Sequence, residues 1–134
     1  MNRLQREKSG QSMVEFALTL PLLAVLLFGI IQYGIIFAAI LTVRNASAVG
    51  ARYAVIGNPT VSNIQAIAIG ALSPMLTVTN NNATATVDTN ATVGGTSGAK
   101  SVTVNYGLSL IIPFVVPGKS AGSTLTISET TVMR

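Results

Sequence analysis

The chain has 134 residues, 49% of them hydrophobic and only 9% charged, with a formal net charge of +4 and no Cys, His or Trp. A soluble domain carries about 25% charged residues, so with a mean hydropathy of +0.60 this chain is solvated in part by lipid or by copies of itself. The missing Cys and His exclude disulfide frameworks, thiol nucleophiles, most zinc sites and the commonest general base, and eight scattered Lys and Arg against four acids make no basic patch, so no nucleic-acid partner is expected.

The first ten residues form a short polar leader, in which Arg3, Arg6 and Lys8 stand against Glu7 and which ends in Gly10. This segment holds +2 of the formal charge, three basics against one acid. Beyond Glu15 no charge appears until Arg44. The run Phe16 to Val43 reads FALTLPLLAVLLFGIIQYGIIFAAILTV, and 18 or more such residues predict a transmembrane helix. At 1.5 Å per residue the run is about 42 Å long, against a hydrocarbon core of about 30 Å, so the helix tilts or projects. A cleaved secretory signal, with a cut near Ala46 to Ala48, is the competing reading, but its apolar core spans only about 7–15 residues. Positive flanks on both sides favour a cytoplasmic N-terminus only modestly.

Within this helix Glu15 is a carboxylate at the edge of hydrocarbon, where an unpartnered charge is costly. It either snorkels to the aqueous interface, stays protonated, or meets a partner charge. Pro21 removes a backbone donor and crowds the carbonyl of Ala17, which membrane helices tolerate, and a kink or loosened turn is expected there. Gly34, Ala38, Thr42, Ala46, Gly50 and Ala54 form a row of small residues at four-residue spacing that lets another backbone approach closely. Four residues turn slightly more than one helical turn, so the row drifts and its contacts change along the helix. The helix is expected to continue through residues 44–56 and to stop at Gly57-Asn58-Pro59.

After the helix the chain is rich in Thr, Asn, Gly and Val. Ser62 and Gln65 have capping-box spacing and predict a short helix to about Leu72. Leu76–Thr79 and Ala83–Val87 read as a weak hairpin about Asn80-Asn81-Asn82, and Thr92–Ala99 as a loop. Two stronger strands follow, Ser101–Leu110 and Thr124–Val132. The first alternates Val102, Val104, Tyr106, Leu108 and Leu110 against polar residues, and the second does so until Glu129 interrupts its apolar face. The apolar stretch Ile111–Pro117 between them reads as a core plug; left exposed, it is a partner-binding or bilayer-touching patch. Asp88 and Glu129 are the only acids here, the sequons at Asn45, Asn82 and Asn90 follow from composition, and Lys119-Ser120 is a commonplace adjacency. No catalytic constellation, metal site or cofactor is expected.

Three segments carry a resemblance. A basic leader ending in Gly10, with Glu15 five residues on, resembles the prepilin-peptidase site of type IV pilin-like proteins. The string GQSMVEFALTLPLL from Gly10 to Leu23, and NASAVGARYA from Asn45 to Ala54, are similar to TadE-like proteins, the minor pilins of the tight-adherence (Tad) pilus system; the last strand resembles their closing strand more weakly. The resemblance implies cleavage between Gly10 and Gln11, with Glu15 and Phe16 setting subunit register. It also implies a prepilin peptidase, a pilus assembly platform and other pilins as partners, assembling through the N-terminal helix. A new amine, with a reference pKa of about 7.7–8.0, would meet a neighbour's Glu15, provided the unusual N-terminal Gln11 does not cyclise to pyroglutamate.

The expected fold is α+β and pilin-like: a leader over 1–10, a helix over 11–57 with its span at about 16–43, and a small antiparallel sheet domain over 58–134 packed on the helix's protruding end. The expected role is a non-enzymatic pilus subunit in a bacterial inner membrane, with a cytoplasmic N-terminus and an exported C-terminal domain, or at the cell surface within a fibre. An unprocessed membrane-anchored binding domain that never assembles is the alternative.

Overall fold

The computed structural model describes residues 3–79, 81–111, 116–120 and 122–134, with side chains from residue 10 onward. One helix, α1 (Arg3–Val55), runs for 53 residues, a length of about 80 Å. It starts ahead of the expected Gln11 and continues through Pro21. The Thr19 hydroxyl donates to the carbonyl of Phe16 at 3.1 Å in this turn, one of the ways a membrane helix satisfies backbone groups near a proline. The helix ends where Gly57 (φ 67°) and Asn58 (φ 54°) both turn left-handed and Pro59 forbids another turn.

A second helix, α2 (Val61–Gly70), buries Ile64 and Ala68. Its N-cap is Thr60, which makes no side-chain capping bond, and Gln65 does not reach back as a capping box requires. Its amide instead donates to the carbonyl of Ala85 at 2.9 Å, joining the helix to the sheet.

The sheet has three strands in the order β1 (Ala83–Val93), β2 (Thr96–Ser109) and β3 (Thr124–Met133), both pairs antiparallel. The expected hairpin about Asn80–Asn82 is corrected: Leu76–Thr79 forms no strand. Asn82 accepts from the Thr79 amide and donates to the Thr77 carbonyl, each at 2.7 Å, so its side chain takes up backbone groups that a ladder would have used. Asn80 lies outside the described residues. The true hairpin falls in the expected loop, where Gly94 and Gly95 have φ of 58° and 80° and Val93 faces Thr96. Two successive positive φ values make the two-residue turn whose twist matches paired strands, and β1 absorbs the remaining mismatch as register shifts around Ala91.

Val102, Val104, Tyr106 and Leu108 turn inward from β2, with Leu110 just beyond it, and all five are buried. They pack with Ile127 and with α1 and α2 in one core. The outer face carries hydroxyls and amides in register, with Asn105 opposite both Thr84 and Ser128, and Thr103 opposite both Thr86 and Thr130. The architecture is therefore α+β: one long apolar helix whose C-terminal half is the spine of a three-stranded antiparallel sheet domain.

Candidate functional site

The site is the helix surface itself, and it divides at Gln32. From Met13 to Ile31 the side chains are exposed or partly exposed around the whole circumference, among them Phe16, Leu22, Leu23, Leu26 and Ile30. From Gln32 onward one stripe is buried against the domain: Gln32, Ile36, Ala39, Val43, Ala46, Gly50 and Ala54. Its spacing alternates mainly between four and three residues, the near-3.5 period that keeps a seam on one side of a helix.

The small-residue row at strict four-residue spacing crosses this seam obliquely. Gly34 and Ala38 are exposed, Thr42 is buried at the edge of the seam, and Ala46, Gly50 and Ala54 lie within it. Gly50 marks the closest approach: a Cβ there would stand 2.9 Å from Ala68 Cβ and 3.0 Å from Val102 Cγ1. At Gly34 a Cβ would meet nothing within 4 Å. Thr42 donates its hydroxyl to the Ala38 carbonyl at 2.8 Å, which leaves its methyl for packing. Ala38, Leu41, Thr42 and Asn45 also line one side of an open, mainly apolar groove, with Ala71, Pro74 and Met75 opposite.

At the other end, Gly10 and Gln11 are exposed and lie inside the continuous helix. The Gln11 amide donates to a carboxylate oxygen of Glu15 at 3.3 Å, a one-turn contact on an exposed face. Glu15, Phe16 and Pro21 are all exposed. Glu15 is thus the only acid between Glu7 and Asp88, on a surface otherwise apolar for several turns.

Two polar contacts that sequence reasoning missed fix the domain to the helix, and a third polar group lies buried between them and the bare stretch. Lys100 donates to the carbonyl of Ala54 at 2.6 Å and to Asn58 Oδ1 at 3.4 Å, so a cation from β2 caps the last turn of α1, where the helix dipole favours it. The Ser47 and Thr131 hydroxyls meet at 2.8 Å and join α1 to β3. Gln32 is 1% exposed, and neither amide atom has a hydrogen-bond partner. No sequence signal separates Gln32 from its apolar neighbours except polarity, and Lys100 shows no cue at all.

Asp88 sits on the outer side of β1 opposite Ser101, while Glu129 is opposite inward-facing Val104 on β3, half-buried; the two acids lie on different faces and different strands. Among the described residues no three His, Cys, Asp or Glu side chains gather to hold a metal. Lys119 Nζ reaches the Thr124 carbonyl at 3.5 Å. Of the apolar stretch after β2, Ile111 is 73% exposed and Val116 packs partly on the core; the residues between lie outside the described ones.

α1 from Gly10 to Val55 is long and apolar enough to cross a membrane. No curated protein and no solved structure matches the chain. The family model for TadE-like protein matches residues 10–52, which takes in the Gly10–Glu15 motif, the exposed apolar stretch and the buried seam as far as Gly50. Over these residues the N-terminal helix is similar to that of TadE-like proteins.

Proposed function

We propose that this chain is a minor pilin of the tight-adherence system, a structural subunit with no catalytic role. It is cut between Gly10 and Gln11 by a prepilin peptidase, held in the bacterial inner membrane, and then incorporated into or used to prime a pilus for surface adherence. The observation that carries the reading is the lateral surface from Phe16 to Ile31, charge-free on every side and exposed or partly exposed throughout in the monomer. Lipid covers it before assembly and the helices of other pilins cover it afterwards. Counted from Glu15, a hydrocarbon core of about 30 Å takes up about twenty helix residues, so the bilayer holds the exposed apolar stretch and about the first turn of the buried seam. The N-terminus stays in the cytoplasm and the sheet domain is exported.

Glu15 gives the assembly its register. A carboxylate on this surface is costly beside apolar helices, and a neighbour's new α-amine removes that cost at only one axial offset. The Gln11 amide already donates to Glu15 within the chain, so Glu15 keeps one local donor while it accepts a charged one. Gly10 weakens the helix by about 1 kcal/mol relative to Ala, which eases the unwinding that places the scissile bond in a peptidase.

The test is co-expression of the full chain with a prepilin peptidase and the assembly platform, comparing wild type, Gly10→Ala and Glu15→Ala. N-terminal mass analysis reads cleavage and pyroglutamate, and electron microscopy reads fibres. Gly10→Ala should remain uncut; Glu15→Ala should be cut and reach the membrane but fail to assemble. Unchanged cleavage and unchanged fibres in both variants would sink the proposal and leave an unassembled membrane-anchored binding domain.

A further inference from the structure

The exported domain does not stand clear of the bilayer: we infer that Ile111, two residues beyond β2, is seated in the leaflet on the exported side, with Lys119 above it at the headgroups. The inference rests on the proposed membrane span. Two contacts set the direction of β2 along α1: Lys100 touches Ala54 and Val102 faces Gly50. Two strand residues advance about 6.6 Å and four helix residues about 6 Å, so the two descend nearly in step. Carried down from Lys100, this pace brings Leu110 to the level of about residue 32, where Gln32 is buried.

The bilayer edge falls beside that point. With Glu15 at the cytoplasmic edge of hydrocarbon, a core of about 30 Å ends some twenty residues later, near Ile35. Leu110 therefore reaches about three helix residues, roughly 5 Å, below the far edge, and the chain leads on from there to Ile111. It is 73% exposed in the monomer, and the neighbouring helix face, with Ile31 50% and Phe28 53% exposed, is apolar too.

Charge supplies the second, independent observation. Lys119 Nζ contacts the Thr124 carbonyl, and Thr124 pairs with Ser109, two strand residues above Ile111. That rise, about 7 Å, sets the ammonium at the hydrocarbon edge, where anionic headgroups attract it. An apolar side chain below a cation is the arrangement a lipid interface selects.

The absence of Trp allows a direct test on the full chain. Ile111→Trp, Phe28→Trp and Thr126→Trp are reconstituted separately in vesicles of phosphatidylcholine with phosphatidylglycerol containing lipids brominated at shallow or deep chain positions. Expected are blue-shifted emission for Ile111→Trp with at least twofold quenching by shallow bromines, stronger quenching of Phe28→Trp by deep bromines, and none for Thr126→Trp on the outer sheet face. Phe28→Trp quenched while Ile111→Trp behaves like Thr126→Trp overturns the seat and leaves the span intact. Neither Phe28→Trp nor Ile111→Trp quenched overturns both. Ile111→Cys carrying a nitroxide, read by its accessibility to oxygen against a water-soluble relaxant, repeats the measurement with a smaller substitution. Lys119→Gln should halve the quenching of Ile111→Trp in anionic vesicles only; no change there overturns the headgroup contact.

Discussion

Adding one methyl group at Gly50 should destabilise this protein, whereas the same change at Gly34, four turns earlier on the small-residue row, should not. In a helix Gly→Ala alone is stabilising by about 0.5–1 kcal/mol. At Gly50 the new Cβ would lie 2.9 Å from Ala68 Cβ and 3.0 Å from Val102 Cγ1, against an optimum of about 3.5–4.0 Å between carbons. Ala68 Cβ is bonded to the α2 backbone and cannot rotate away, so α2 or β2 must shift by about half an ångström. Overpacking of this kind costs about 1–3 kcal/mol, leaving a net loss of about 1 kcal/mol at mid-range and at most about 2.5 kcal/mol. At Gly34 nothing lies within 4 Å, so only the helix preference remains, and it is muted where lipid or detergent keeps the helix formed. Thermal unfolding of the full chain in micelles, followed by near-ultraviolet circular dichroism of Tyr53 and Tyr106, reads both. At about 4–8 °C per kcal/mol for a domain of this size, Gly50→Ala should lower the midpoint by several degrees and Gly34→Ala should leave it unchanged or raised. Equal midpoints for Gly50→Ala and wild type, or equal losses at both positions, would refute the close-approach argument.

Two further substitutions probe how the domain is fixed to the helix. Lys100→Met keeps the aliphatic stem but removes the cation that caps Ala54; a loss of about 1–2 kcal/mol is expected, discounted because Lys100 is partly exposed, with faster amide exchange in the last turn of α1 as the local readout. Gln32→Leu replaces a buried amide that has no partner with an apolar side chain of similar size. It should raise the unfolding midpoint, since an unsatisfied buried polar group costs about 1–3 kcal/mol, and a lower midpoint would show that Gln32 has a partner in solution.

The charge-free run from Phe16 to Val43, the chain reversal at Gly57-Asn58-Pro59 and the inward alternation of Val102 to Leu110 are legible along the sequence because each is set by neighbours one to four residues away. Local signals misled where a side chain had a distant use. Gln65 looked like half of a capping box and instead binds Ala85 across the fold. Asn82 looked like a hairpin turn and instead closes on Thr77 and Thr79. The Gly94-Gly95 pair sat inside an apparent loop, because bulges in β1 broke the alternation that would have marked a strand.

The sequence by itself determined that the chain carries one long membrane-competent helix with a lone carboxylate near its start, since charge and hydropathy are properties of residues and need no fold. It also determined that a small sheet follows, through period-two alternation. Only the tertiary structure decided where that helix stops being a free apolar cylinder and becomes the spine of a domain. The boundary falls at Gln32, inside a run that composition treats as uniform, because it depends on how far along α1 the rest of the chain packs. The row of small residues was visible at once, but its division into exposed Gly34 and Ala38 and buried Ala46, Gly50 and Ala54 follows from the angle between a four-residue row and a seam of period near 3.5, which exists only once a second surface is packed against the helix.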